Sequence, residues 1–368
     1  MASKVFFWNL RTSRKMPYEL KLKKLLKSLG IGQILEPGQL VALKIHFGEK
    51  GTTGFISPLW IRPIIEFLKK VGVKPFLTDT NTLYVGERGE SVSHLLQAAR
   101  HGFDPNLLGA PIIIADGLKS NNERCIEFKG THFNRFYLAG DIVDADYLIF
   151  LSHFKGHELA GFGGALKNVA MGCATRQGKM QQHCGFGPKI IAKLCQGCAA
   201  CVEVCKPKAL QLVEGKVTLD PENCVGCAAC LLACKTKALT VNWKVDIKIF
   251  LERMIEYAAA VLLSRKQPSL HINFVLRVSP DCDCVGFTDA PICPDLGILG
   301  SYDPVALDQA CLDLVNASPP LHPSCLPGDI KSGEDKFRAI HPHVRGDYAL
   351  EYAQKLGLGS RDYELVKV

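Results

Sequence analysis

Apolar positions along the chain follow two periods. Gln39–His46, Val73–Leu77, Pro111–Ile114, Asp146–Leu151 and His271–Val278 are short apolar runs of strand length. Stretches with helical spacing lie among them. In the first, Tyr18, Leu22, Leu25, Leu26 and Leu29 form a stripe with Lys21, Lys24 and Lys27 outside it. Further helices are expected over 58–71, 91–101, 165–170, 245–263 and 305–315, the last opened by the capping pair Asp303-Pro304. Strands alternating with helices predict an α/β fold, a mainly parallel sheet covered by helices. Short strand signals near 5–8 and 362–367 add to that sheet.

Two cysteine runs interrupt the alternation. Cys195, Cys198, Cys201 and Cys205 form the first, and Cys224, Cys227, Cys230 and Cys234 repeat it 29 residues later. Each run reads C-x2-C-x2-C-x3-C, and Lys208-Ala209-Leu210 returns as Lys237-Ala238-Leu239. Structural zinc more commonly uses two separated C-x2-C pairs. Three closely spaced thiolates suit three corners of a cubane, with the fourth cysteine directed to a neighbouring cluster. The spacing therefore predicts two 4Fe-4S clusters, one held by Cys195, Cys198, Cys201 and Cys234 and the other by Cys224, Cys227, Cys230 and Cys205. The segment resembles the bacterial-type two-cluster ferredoxin domain, although Lys206 and Lys235 stand where that family usually has proline. The resemblance implies a small α+β two-cluster ferredoxin domain inserted into the α/β body. The expected units are 1–186 and 244–368, two parts of one body, with 187–243 as the insert.

Composition fits a globular chain: 47% of the 368 residues are hydrophobic and 22% charged. The start lacks a secretory pattern, and no apolar run is long enough to span a membrane. Thiols in cluster-binding runs require a reducing compartment, so the expected location is cytoplasmic. The net charge of +8 is concentrated in residues 1–30, which carry eight Lys and Arg against the single acid Glu19. A solvated helix face accounts for those lysines, and no zinc finger or RNA-binding motif supports nucleic acid as a partner.

Candidate chemistry gathers where strands end. His46 closes one strand before the glycine-rich loop FGEKGTTGFISP, which reads equally as a turn or as an anion loop. His153, Lys155 and His157 follow another strand, and Gly161, Gly163 and Gly164 then lead into a helix carrying Lys167 and Asn168. Imidazoles there suit proton transfer or metal binding, and the lysines suit an anionic group. Arg176, Lys179 and His183 extend the basic character, with Cys173 and Cys184 beside them. After the last long strand, Cys282, Asp283, Cys284 and Cys293 form a cluster suited to metal coordination or redox chemistry. Open α/β sheets bind ligands at the carboxyl ends of strands, so these regions are expected to converge on one pocket.

Outside the cysteine runs, the chain resembles the domain of unknown function family 362. KIHFGEKGTTGFISP, SHFKGHELAGFGGALKNVAMG, CDCVGFTDAPICPDLGILGSYDPVALDQA and LGLGSRDYEL carry the resemblance. It carries forward His46, His153, Lys155, His157, Lys167, Asn168, Lys179, His183 and Asp283 as candidates and supplies no reaction. The assigned roles are catalytic for His153, His157, Lys155, Lys167 and Asp283. Substrate binding falls to His46, Asn168, Arg176, Lys179 and His183. The function expected is an iron-sulfur oxidoreductase that passes single electrons between a redox protein and an anionic small molecule or second cofactor. The alternative is a non-enzymatic electron carrier or a protein of metallocofactor binding or maturation.

Overall fold

The computed structural model describes residues 2–185, 187–243 and 245–368. Eight strands form one sheet: β1 (Ser3–Trp8), β2 (Leu40–Lys44), β3 (Lys74–Asp79), β4 (Ile112–Ile114), β5 (Tyr147–His153), β6 (Leu270–Val275), β7 (Gly297–Ser301) and β8 (Tyr363–Lys367). Their order across the sheet is β8-β1-β7-β6-β5-β2-β3-β4. Only β7 runs antiparallel to its neighbours, and every other pairing is parallel. The carboxyl ends of β2, β3, β5 and β6 therefore share one edge.

Strands buried on both faces need apolar residues at odd and even positions alike. Val41 and Leu43 of β2, with Tyr147, Ile149 and Leu151 of β5, enter one core cluster with Leu22, Leu25 and Leu26 of helix α1 (Tyr18–Ser28) and Ile61, Ile64, Ile65 and Leu68 of α2 (Pro58–Val71). Ala42, Leu148 and Phe150 enter the other, with helices α4 (Ala165–Cys173), α6 (Ile247–Leu263) and α7 (Pro304–Ala317). The chain uses α3 (Ser91–Arg100) differently, burying its polar face, Ser91, His94 and Gln97, toward the sheet edge. At about 1.5–3 kcal/mol per fully buried large aliphatic side chain, these two layers supply most of the driving force for the body.

Helix ends are set by local chemistry. Ser57 caps α2 and Pro58 opens it, while Gly72 closes it in the left-handed region at φ 94°. Asp303 caps α7 by accepting from Val305 and Ala306. α4 has no cap of its own, so Asp308 of α7 accepts from Ala165 N at 2.7 Å and Leu166 N at 3.0 Å. A Cβ on Gly164 would lie 2.3 Å from Asp308 Oδ1, so only glycine admits this cap. Burial pushes the Asp308 carboxyl up to about 6.

The segment carrying the cysteine runs corrects one expectation. It contains two small ribbons, Lys189–Ile190 with Leu239–Thr240 and Leu210–Val213 with Lys216–Leu219, and two short helices. It does not stand apart as a separate α+β ferredoxin domain. Its apolar cluster, with Leu210, Val217, Leu231 and Leu239, takes in Leu83 of the body and Met180 of helix α5 (Arg176–Cys184). A segment of this size buries too little apolar surface alone and borrows its core from the protein it packs on. Phe186 and Lys244, at the two expected domain boundaries, lie outside the described residues. No helix among the described residues is long and apolar enough to cross a membrane.

Candidate functional site

A cavity of about 350 Å³ opens at the carboxyl edge of β2, β3 and β5, the position that open α/β sheets offer to ligands. Its walls include His46, Asp79, His153, Lys155, His157, Lys167, Lys179, His183, Cys282 and Cys284. Close backbone approach builds the thiol wall. Lys155–His157 pairs with Gly161–Gly163 as a short ribbon, and a Cβ on Gly156 would lie 1.8 Å from Pro280 O. That contact presses the ribbon against the loop that carries Cys282 and Cys284. The glycine-rich loop after β2 straps the same loop from the other side, through Thr52 Oγ1 to Thr288 Oγ1 at 2.7 Å and Glu49 N to Asp283 O at 2.9 Å. It serves as a strap on the thiol loop.

At the thiol wall, ligand atoms of His157, Cys282 and Cys284 lie within 4.8 Å of one another. A hydrogen bond from Cys284 holds the Cys282 thiol well below its usual range against burial, helped by Lys167 and Lys155, while Cys284 keeps its proton. Lys167 Nζ stands 3.8 Å from Cys282 Sγ. Burial and the charges of Lys167 and Lys155 keep His157 neutral. Its Nδ1 accepts from Leu159 N and Ala160 N, each at 3.1 Å, so the ring hydrogen sits on Nε2. A metal at Nε2 must displace that hydrogen, and one at Nδ1 must displace the two amides. The two sulfurs are therefore the principal donors and His157 an auxiliary one. Two thiolates and an imidazole suit a thiophilic divalent ion and leave a fourth position toward the cavity.

The opposite wall is a network of paired charges. Lys44 Nζ lies 2.9 Å from Asp79 Oδ1, and Arg88 lies 3.3 Å from Asp79 Oδ2 and 3.4 Å from Glu49 Oε2. Burial opposes ionisation of Asp79, but the charge of Lys44, first among its partners, outweighs it and holds the carboxyl well below the usual range. Between the walls, Asp283 accepts from His153 Nδ1 at 2.9 Å and faces Lys155 Nζ at 3.4 Å. Those two partners overcome the burial penalty and keep Asp283 ionised.

The ligand geometry overturns the cofactor expectation. Among the described residues, no three of the eight run cysteines bring their sulfurs within 4.8 Å of one another, the spacing of donors around one ion, and the one group that does is His157, Cys282 and Cys284. Cys195, Cys201 and Cys230 are buried in the cluster of Leu210, Val217 and Leu239, and Cys195 Sγ accepts from Val217 N at 3.4 Å. Two 4Fe-4S clusters, the ferredoxin likeness and the iron-sulfur electron-transfer function built on them are set aside, and one three-donor site replaces them.

Residues 41–313, well over half of the chain, match the family model described as domain of unknown function (DUF362). The chain belongs to that family. No curated protein matches this DUF362 chain in sequence. Its structure is similar to that of a lactate racemase apoprotein from Thermoanaerobacterium thermosaccharolyticum, at 14% identity and a TM-score of 0.41, covering 86% of this chain and 58% of that one. It is also similar to a structural-genomics target from Thermotoga maritima, at 11% identity and a TM-score of 0.42, covering 94% of this chain and 60% of that one. The chain spans less than two thirds of the length of either.

The DUF362 structure distributes the sequence candidates among distinct roles. His153 has both ring nitrogens against acceptors, Asp283 and Leu276 O at 2.8 Å, and is pinned. His46 Nδ1 accepts from Gly48 N at 3.0 Å, and burial keeps the ring neutral. Asn168 braces Lys44, Ser152 and Leu151 O. Arg176 does not reach the cavity lining, and its guanidinium is spent on the carbonyls of Thr82, Gly89 and Lys119. Cys293 is buried outside the three-donor group, and burial raises its thiol to about 11. Sequence reasoning missed Lys44, Asp79, Arg88 and Trp243. Lys44 offered a signal, a lysine inside an otherwise apolar strand, and Asp79 ends a strand as His46 and His153 do.

Proposed function

We propose that this protein binds a thiophilic metal ion, or a cofactor that carries one, at Cys282 and Cys284, as a cofactor-binding or maturation protein. The observation that carries the reading is the meeting of two thiols and one imidazole within 4.8 Å on the wall of a ligand-sized cavity. The Cys284 hydrogen bond, helped by Lys167 and Lys155, favours thiolate at Cys282, so a divalent ion meets one donor poised to ionise and takes the place of the proton on the other. The dithiolate supplies affinity, and the fourth position lets the ion share a ligand with the cavity and pass onward by exchange. Cys282 and Cys284 must stay reduced for this, which favours a cytoplasmic setting.

Cobalt(II) is the direct probe, because thiolate ligation gives intense sulfur-to-metal absorption near the ultraviolet. One equivalent should produce that band in reduced protein. Cys282→Ser with Cys284→Ser should remove it and weaken zinc binding by about 100-fold or more, the scale on which loss of metal-site groups acts. A band of unchanged intensity in the double variant would reject the reading.

A further inference from the structure

Five cations line the cavity, and they divide sharply by partner. Lys44, Arg88 and Lys155 each have a carboxylate within 4.0 Å. Among the described residues, Lys167 and Lys179 have none. Lys179 is only 8% exposed, and its Nζ donates to Thr80 Oγ1 and Ala174 O, both at 2.6 Å. An ammonium has three hydrogens, so one donor remains for the cavity. Burial lowers the Lys179 amine to about 8, the mark of a charge whose solvation has not been replaced by a counter-ion.

The neighbouring wall is aromatic. The His183 ring lies between Trp243, at 4.9 Å and 79°, and Phe250, at 5.1 Å, and its buried Nδ1 has no hydrogen-bond partner. Trp243 is 42% exposed and lines the cavity, so it stands where a ligand passes. A buried cation without a counter-charge costs several kcal/mol, and a fold can retain it at no net loss when a ligand brings the missing charge.

We infer that Lys167, Lys179, His183 and Trp243 form an oxyanion subsite, so that the ligand of this cavity is a small organic acid or phosphate ester whose anionic end sits on the lysines. A volume of about 350 Å³ lies at the small end of ligand cavities, which excludes a dinucleotide and suits a compact metabolite. Lys167 touches both regions, through its contact with Cys282, so one bound molecule can meet the lysines and the open metal position together. The inference extends the metal-binding reading and rests on it only for that last step.

The test is calorimetric titration of zinc-loaded protein with malonate and, separately, inorganic phosphate, with glycerol as the neutral control. At least one anion should bind, and glycerol should not. Lys179→Met, which fills the same volume without charge, should weaken that anion about 10-fold or more, and Lys179→Arg should restore much of it. Malonate binding alone identifies a carboxylate site, and phosphate binding alone a phosphoryl site. Should neither anion bind, or should both bind Lys179→Met and Lys167→Met as tightly as the unaltered protein, the subsite does not exist. A missing cobalt-thiolate band together with Lys179-dependent anion binding would instead overturn the metal site and leave the subsite standing.

Discussion

The two walls of the cavity hold similar residues and do opposite things. On the Asp79 wall, each buried cation meets a carboxylate, and Lys44, Arg88, Asp79 and Glu49 pair charge with charge. Elsewhere in the lining, Lys167 meets only a sulfur at 3.8 Å, and Lys179 meets only a hydroxyl and a carbonyl. Lys179 is buried as Lys44 and Arg88 are, while Lys167 is half-buried, so burial alone does not separate them. The difference lies in whether the protein supplies the counter-charge. A closed network is scaffold, whereas an open one has capacity left for a ligand.

The largest effect should come from opening the closed wall. Asp79 faces Lys44, Arg88 and His94 at once, so Asp79→Ala takes from Lys44 its carboxylate and leaves Arg88 with Glu49 alone. Breaking one partner out of a buried pair typically costs about 3–5 kcal/mol. Urea denaturation should show a loss of that order, while Lys179→Met on the open wall should cost little or even stabilise. A loss below about 1 kcal/mol for Asp79→Ala would erase the distinction between the walls.

A smaller effect tests the hierarchy within the thiol wall. His157 is held with Nδ1 against two backbone amides, an arrangement that a metal must disturb, whereas neither sulfur is so constrained. His157→Ala should weaken zinc by about 10-fold, against about 100-fold or more for either cysteine changed to serine. Equal losses measured by competition with a chromogenic chelator would show that His157 turns to become a full ligand.

Much of this arrangement could be read from the chain, and its errors have physical causes. Apolar runs at strand length and stripes at helical spacing placed β2, β5, α2 and α4 within a few residues, because period is a local property. His46, His153 and His157 were found by their position after apolar runs. Their roles were not, because those depend on which acceptor each ring nitrogen meets: Asp283 for His153, and amides for His46 and His157. The cysteine runs misled for a related reason. Regular spacing is conspicuous in a sequence, yet the compact donor group joins His157 to residues more than a hundred positions later. Lys44 and Asp79 passed unnoticed because a charge inside a strand can be judged only once its partner is known.

The gentlest effect, read as a slope in pH, supplies a reference that lies outside both walls. His271 of β6 is fully buried, stacked on Phe150 at 5.1 Å and 8°, with Nε2 3.0 Å from Ser269 Oγ and Nδ1 without a partner. No carboxylate lies within 4.0 Å of it among the described residues, and burial lowers its pKa from 6.5 to about 3. Between those two values the unfolded chain holds a proton that the folded chain refuses. Stability from this group is therefore complete above about pH 6.5 and falls as the pH drops, by about 1.4 kcal/mol per unit for one proton. His271→Asn removes the titration, so its stability should fall less steeply than that of the unaltered protein between about pH 6 and 4.5, by about that amount per unit. Parallel slopes in urea denaturation across this range would mean that His271 takes up a proton while folded. Burial without a counter-charge would then be cheap in this fold, and Lys179 could stay buried and unpaired with no anion to receive.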